Sequence, residues 1–182
     1  MDYARYVRLS AACVVGFVSA GAALAASQGS LGATSTGSVS IGASVPNRVQ
    51  LSGLTDVSFA SQDPATAALS PQSLCVWSNT STKGYNVTAS GSGTANAFTL
   101  ANGALSVPYS VEWAQTSGQS SGTALTAGTV LTGLKSTATN ALCAAGPSST
   151  ASLIVKMSTA NLQSMQAATT YTGTLTLVVA PE

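Results

Sequence analysis

Val107-Pro108-Tyr109-Ser110-Val111-Glu112-Trp113 puts Val107, Tyr109, Val111 and Trp113 on one face of an extended chain, with Ser110 and Glu112 on the other. Alternation of period two is the mark of a strand with one buried face. Pro108 cannot donate to a ladder, so it indicates an edge position or a strand start. Working back toward the N-terminus, Leu74-Cys75-Val76-Trp77-Ser78 reads as a strand and residues 79–84 (Asn-Thr-Ser-Thr-Lys-Gly) as a turn. Tyr85-Asn86-Val87-Thr88-Ala89 alternates again, Ser90-Gly91-Ser92-Gly93 breaks it, and Phe98-Thr99-Leu100 leads into the hairpin dipeptide Asn102-Gly103.

Outward from this block the same grammar continues. Val49 to Leu51 and Val57 to Phe59 predict short strands. Residues 62–72, with Pro64 and Pro71, predict a loop, as do 114–123 and 136–149. Leu125, residues 130–134 and Leu153-Ile154-Val155-Lys156-Met157 predict further strands, and residues 159–167 one or two helical turns capped by Ser158 or Thr159. The chain closes on Tyr171-Thr172-Gly173-Thr174-Leu175-Thr176-Leu177-Val178-Val179, which alternates throughout. Many short strands, turn signals between them and no long amphipathic helix predict an all-β, antiparallel sandwich. Because the last strand reaches almost to the C-terminus, any strand missing from the sandwich is expected from the N-terminal side or from another molecule.

One alternating stretch lies apart. In residues 37–46, Val39, Ile41, Ala43 and Val45 share a face opposite Ser38, Ser40, Gly42 and Ser44, and Pro46 stops the run. A Ser/Gly/Thr-rich lead-in, residues 27–37, precedes it. Two readings stand side by side: a first strand of the chain's own sandwich, or a strand that serves a neighbouring copy.

The first residues read as a secretory signal. Arg5 and Arg8 form a basic start, residues 11–24 an apolar run diluted by Gly16, Ser19 and Gly21, and Ala23-Leu24-Ala25 a cleavage motif. The run is short for a membrane span, so cleavage is expected after Ala25 or Ala26, giving a signal peptide of 1–25, an N-terminal extension of 26–46 and a domain of 47–182. No later run is long enough to span. Past the signal the charges are few: Arg48, Lys83, Lys135 and Lys156 against Asp56, Asp63, Glu112 and Glu182. With no basic stretch to hold phosphates, nucleic acid is not an expected partner. Low net charge removes one barrier to self-association.

Cys13 leaves with the signal, and Cys75 and Cys143 remain as an even pair in an exported chain, which reads as a disulfide. There is no histidine, so neither a Ser-His-Asp triad nor a histidine metal site can form. The four acids show no paired-carboxylate spacing. No catalytic residue, metal or cofactor is expected. Trp77 and Trp113 would stack on sugar rings if exposed, but their apolar neighbours favour core packing. Asn79-Thr80-Ser81 and Asn86-Val87-Thr88 fit the glycosylation pattern, and Asn79 is read as a turn residue.

Cys75-Val76-Trp77-Ser78-Asn79-Thr80, the 85–89, 98–100 and 107–113 strands and the ending Tyr171-Thr172-Gly173-Thr174-Leu175-Thr176-Leu177 together resemble subunits of the archaic and alternative chaperone–usher pili of bacteria. Spore-coat-U-like and colonisation-factor-type fimbrial proteins are among them. The resemblance covers most of the chain after the signal and departs in having no cysteine near residues 46–49. It implies an immunoglobulin-like sandwich that is incomplete and is completed by a donor strand. It further implies a periplasmic chaperone and an outer-membrane usher as partners, other copies or related subunits as fibre neighbours, and a final place at the cell surface or outside the cell. Val39, Ile41, Ala43 and Val45 would then be the donor residues. The groove edges would include the first strand after Pro46 and the closing strand. Each donor side chain withdrawn from water would contribute on the order of 1–2 kcal/mol. The competing expectation is a secreted, self-complemented adhesive or carbohydrate-binding module.

Overall fold

The computed structural model describes residues 26–182. Residues 1–25, read from the sequence as a signal peptide and including Cys13, lie outside the described residues. The chain divides into two units, Met1–Val45 and Pro46–Glu182.

The second unit is an antiparallel β-sandwich. Its strands are β1 (Val49–Ser52), β2 (Ala68–Ser78), β3 (Gly84–Gly91), β4 (Thr99–Asn102), β5 (Leu105–Pro108), β6 (Ser110–Ala114), β7 (Thr123–Ala124), β8 (Val130–Lys135), β9 (Ala151–Met157) and β10 (Leu175–Pro181). One sheet has the order β1-β2-β9-β6-β7 and the other β10-β3-β8, with β4 and β5 as a separate hairpin. Both sheets turn their alternate residues inward, so Leu74 and Val76, Tyr85, Val87 and Ala89, and Leu153, Val155 and Met157 are buried together. The helix α1 (Thr159–Gln163) starts where the Ser158 hydroxyl accepts a hydrogen bond from the Asn161 N–H, the cap expected from the sequence.

Three departures from the sequence expectation have local causes. The 107–113 run is two strands, because Pro108 ends β5 and the Tyr109 N–H donates to the Phe98 carbonyl; beyond this break β6 pairs with β9 instead of β4. Residues 68–72 are strand, not loop. Pro71 is tolerated there because β1 pairs only with Cys75 to Ser78, so Pro71 needs a ladder on the β9 side alone. Conversely, Val57 to Phe59 forms no strand. The backbone at Thr55 is instead held by the Gln72 side chain, whose Oε1 accepts from the Thr55 N–H at 2.9 Å and whose Nε2 donates to the Thr55 carbonyl at 3.2 Å.

Cys75 and Cys143 form a disulfide with Cα atoms 6.0 Å apart. It fastens the 136–149 segment to β2. The Ser136 hydroxyl donates to the Val76 carbonyl, and Thr150 Oγ1 both accepts from the Val76 N–H (2.9 Å) and donates to that carbonyl (3.0 Å).

On the outer side of the larger sheet Lys156 Nζ reaches both oxygens of Glu112 at 2.7 Å, and Glu112 also accepts from the Gly122 N–H. The Lys156 hydrogen bond, first among the causes, holds the Glu112 carboxyl below its ordinary pKa. A lowered folded-state pKa adds stability above the ordinary range that is lost as pH falls through the lower folded value. Lys156→Met is therefore expected to cost under about 1 kcal/mol at pH 7 and to flatten the acid limb. Denaturation midpoints from pH 6 to pH 3 should fall less for the variant than for the parent; parallel slopes would contradict this.

Candidate functional site: an apolar groove beside a free strand edge

The order β10-β3-β8 leaves β10 hydrogen-bonded on one side only. Beside it lies a groove of about 1180 Å³, bounded across from β10 by residues 54–62. Its floor is core. Leu153, Val155 and Met157 of β9 line it together with Tyr109 and Leu162, and Leu175 and Leu177 of β10 form one wall. Burial in the Tyr109 surroundings raises its pKa above the ordinary tyrosine value, as expected of an apolar cleft.

The two walls come from different local devices. Residues 54–62 form no strand, and their start is tied to β2 by the two side-chain bonds between Gln72 and the Thr55 backbone. The β10 strand begins at Leu175, later than the Tyr171 expected from alternation, because residue 172 pairs with β4 and not with β3. Thr172 exchanges backbone hydrogen bonds with Ala101 at 2.8 and 2.9 Å, and the buried Tyr171 hydroxyl accepts from the Gln166 N–H. Nor does β1 line the groove: the segment after it does.

Val39, Ile41, Ala43 and Val45 lie in the first unit. Residues 39–45 belong to no strand, and Val39, Ile41 and Val45 are 70%, 90% and 83% exposed. The lead-in is pinched into a loop by Ser27 and Ser38, whose backbones exchange hydrogen bonds at 2.9 and 3.1 Å. Single exposed apolar residues are ordinary on protein surfaces; here three lie within seven residues at strand spacing.

The tryptophans offer no open platform. Trp113 is 1% exposed, and Trp77 is half-buried against the Cys75–Cys143 bridge. Three of the four acids past residue 25 are used in local structure, while Asp56 lines the groove. Asp63 accepts from the Ala65 N–H, Glu182 from the Gly133 N–H, and Glu112 pairs with Lys156. No helix among the described residues is long and apolar enough to cross a membrane. The chain matches no protein-family model and no curated protein.

The residue that sequence reading undervalued is Asn79. Its side chain does more than favour a turn: Nδ2 donates to the Pro46 carbonyl at 2.9 Å and Oδ1 accepts from the Arg48 N–H at 2.6 Å. An Asn at the end of a predicted strand was the only signal available, and it does not name a partner more than thirty residues away.

Proposed function

We propose that this chain is a structural subunit of a bacterial surface pilus, polymerising by donor-strand exchange: residues 39–45 of one copy fill the groove of the next. The observation that carries the reading is the free edge of β10 above an apolar groove in a chain that also holds an unpaired segment of strand pattern. Residues 39–45 span roughly 23 Å when extended, and the wall they would lie along runs from residues 166–174 into Leu175 and Leu177 of β10. Inserted there, Val39, Ile41, Ala43 and Val45 would meet the core floor while the backbone completes the β10 ladder, a mode in which main-chain hydrogen bonds give affinity and alternate side chains specificity.

An open strand edge is an aggregation hazard. A subunit of this kind therefore needs its groove covered until it joins the fibre, which is the role the reading assigns to a periplasmic chaperone and an outer-membrane usher. Export through the N-terminal signal belongs to the same reading.

The test is assembly. Purified protein beginning at Ser27 should give SDS-resistant ladders on unboiled gels. Deletion of 27–45 should abolish them, and Ile41→Asp, which would bury a carboxylate against the groove floor, should shorten them to mostly single subunits. A wild-type chain that runs only as a monomer, and that unfolds when 27–45 are removed, would assign the strand to its own sandwich and overturn the proposal.

A further inference from the structure

Asn79 follows β2 at the end of the sandwich where β1 starts, since Val49 pairs with Ser78. It holds residues 46–48, the joint between the first unit and β1, at three points. Two are the side-chain bonds to Pro46 and Arg48; the third is its own N–H, which donates to the Arg48 carbonyl at 3.1 Å. Residues 46–48 contain no turn or bend.

The same end is where β10 finishes. The Gly84 carbonyl accepts from the Ser78 hydroxyl at 2.8 Å and from the Glu182 N–H at 3.1 Å. These positions fix what self-insertion would require. If residues 39–45 folded into the groove of their own chain, they would have to reverse direction within 46–48. They would then run toward the Glu182 end, parallel to β10. Every strand ladder among the described residues is antiparallel, and parallel pairing is slightly the weaker. A segment from a second copy has no such tether and enters antiparallel.

We propose that Asn79 is the positioning residue that makes assembly intermolecular: by fixing the turn-free backbone of 46–48, it denies residues 39–45 the reversal they need to close on their own groove and leaves them for a second copy. This rests on the donor-strand reading above. Asn79 does not line the groove; it acts through the backbone of 46–48.

The experiment uses the full chain from Ser27, in wild-type, Asn79→Ala and Asn79→Asp forms, on unboiled SDS gels. The aspartate keeps the acceptor for the Arg48 N–H but loses the donor to Pro46, so it should fall between the other two. In Asn79→Ala the ratio of SDS-resistant monomer to ladder should rise roughly tenfold, as two hydrogen bonds are lost. In that monomer, residues 39–45 should resist proteolysis, since they are inserted. A merely destabilised sandwich would instead yield a protease-sensitive monomer. Ladders equal to wild type, or a monomer with 39–45 readily cut, would overturn the assignment. A synthetic peptide of residues 37–46 added in excess to wild type separates the two claims. Shortened ladders with an unresponsive Asn79→Ala refute the role of Asn79 alone. Ladders indifferent to the peptide refute the groove reading and this inference with it.

Discussion

Trp113→Ala is expected to lower the stability of the sandwich by about 3–5 kcal/mol, with a fall in Tm of roughly 10–20 °C for a domain of this size. Trp113 is 1% exposed and stands edge-on to Tyr85, with ring centroids 6.4 Å apart and planes at 72°. Its Nε1–H donates to the Tyr85 hydroxyl at 3.2 Å. Removing the indole opens a cavity between the sheets and also strips a fully buried phenol of that donor. Trp113→Phe separates the two effects: it keeps most of the packing and loses the hydrogen bond, for about 1–3 kcal/mol. Tyr85 provides a second readout. Burial raises its pKa and the Trp113 hydrogen bond partly opposes the rise. A raised folded value means stability that is present below the ordinary tyrosine pKa and lost as pH climbs through the folded one. Trp113→Phe should therefore move the Tyr85 transition further alkaline in an absorbance titration and sharpen the alkaline loss of stability. Denaturant midpoints unchanged in Trp113→Ala would contradict the burial argument.

Loss of the Cys75–Cys143 bridge ranks second. The cysteines are 68 residues apart in sequence, and a closed loop of that length restricts the unfolded chain by roughly 4 kcal/mol in the chain-entropy model. The bridge sits with Ala138 in a small cluster that Trp77 covers, so the double variant Cys75→Ala with Cys143→Ala also loosens packing at one margin. The 136–149 segment keeps its polar hooks to Val76 through Ser136 and Thr150. The variant should thus still fold, with its denaturation midpoint lowered and its Trp77 fluorescence shifted toward that of an exposed indole. Reduction of the wild type should reproduce both changes. A midpoint within about 1 kcal/mol of the parent would show that the loop term is not realised, for instance through residual unfolded-state structure.

Much of this protein is legible without coordinates, for reasons that differ by element. Period-two alternation marks β3, because Tyr85, Val87 and Ala89 all face one core. Cys75 and Cys143 pair as the only cysteines left beyond the signal. Ser158 announces α1 by its capping chemistry. Alternation misleads where a partner changes. Residues 107–113 read as one strand, yet Pro108 and Tyr109 transfer the chain from the hairpin to the larger sheet. Residues 57–59 read as a strand, yet they join no ladder, and the nearby backbone is held at Thr55 by the Gln72 side chain. The exposed alternation of residues 39–45 was plain; which of its two readings to prefer was not, since a periodic face records that something will cover it and not what.

The sequence by itself determined the all-β antiparallel class, the buried faces, the disulfide pair and the segment of strand pattern at the N-terminal side. These depend on spacing within a few residues. Only the tertiary structure decided the free edge of β10, the groove floored by β9 and the hold of Asn79 on residues 46–48. Those depend on which distant backbone groups go unpaired and which side chains reach them, and hydrogen bonds across thirty or more residues leave no period in a sequence.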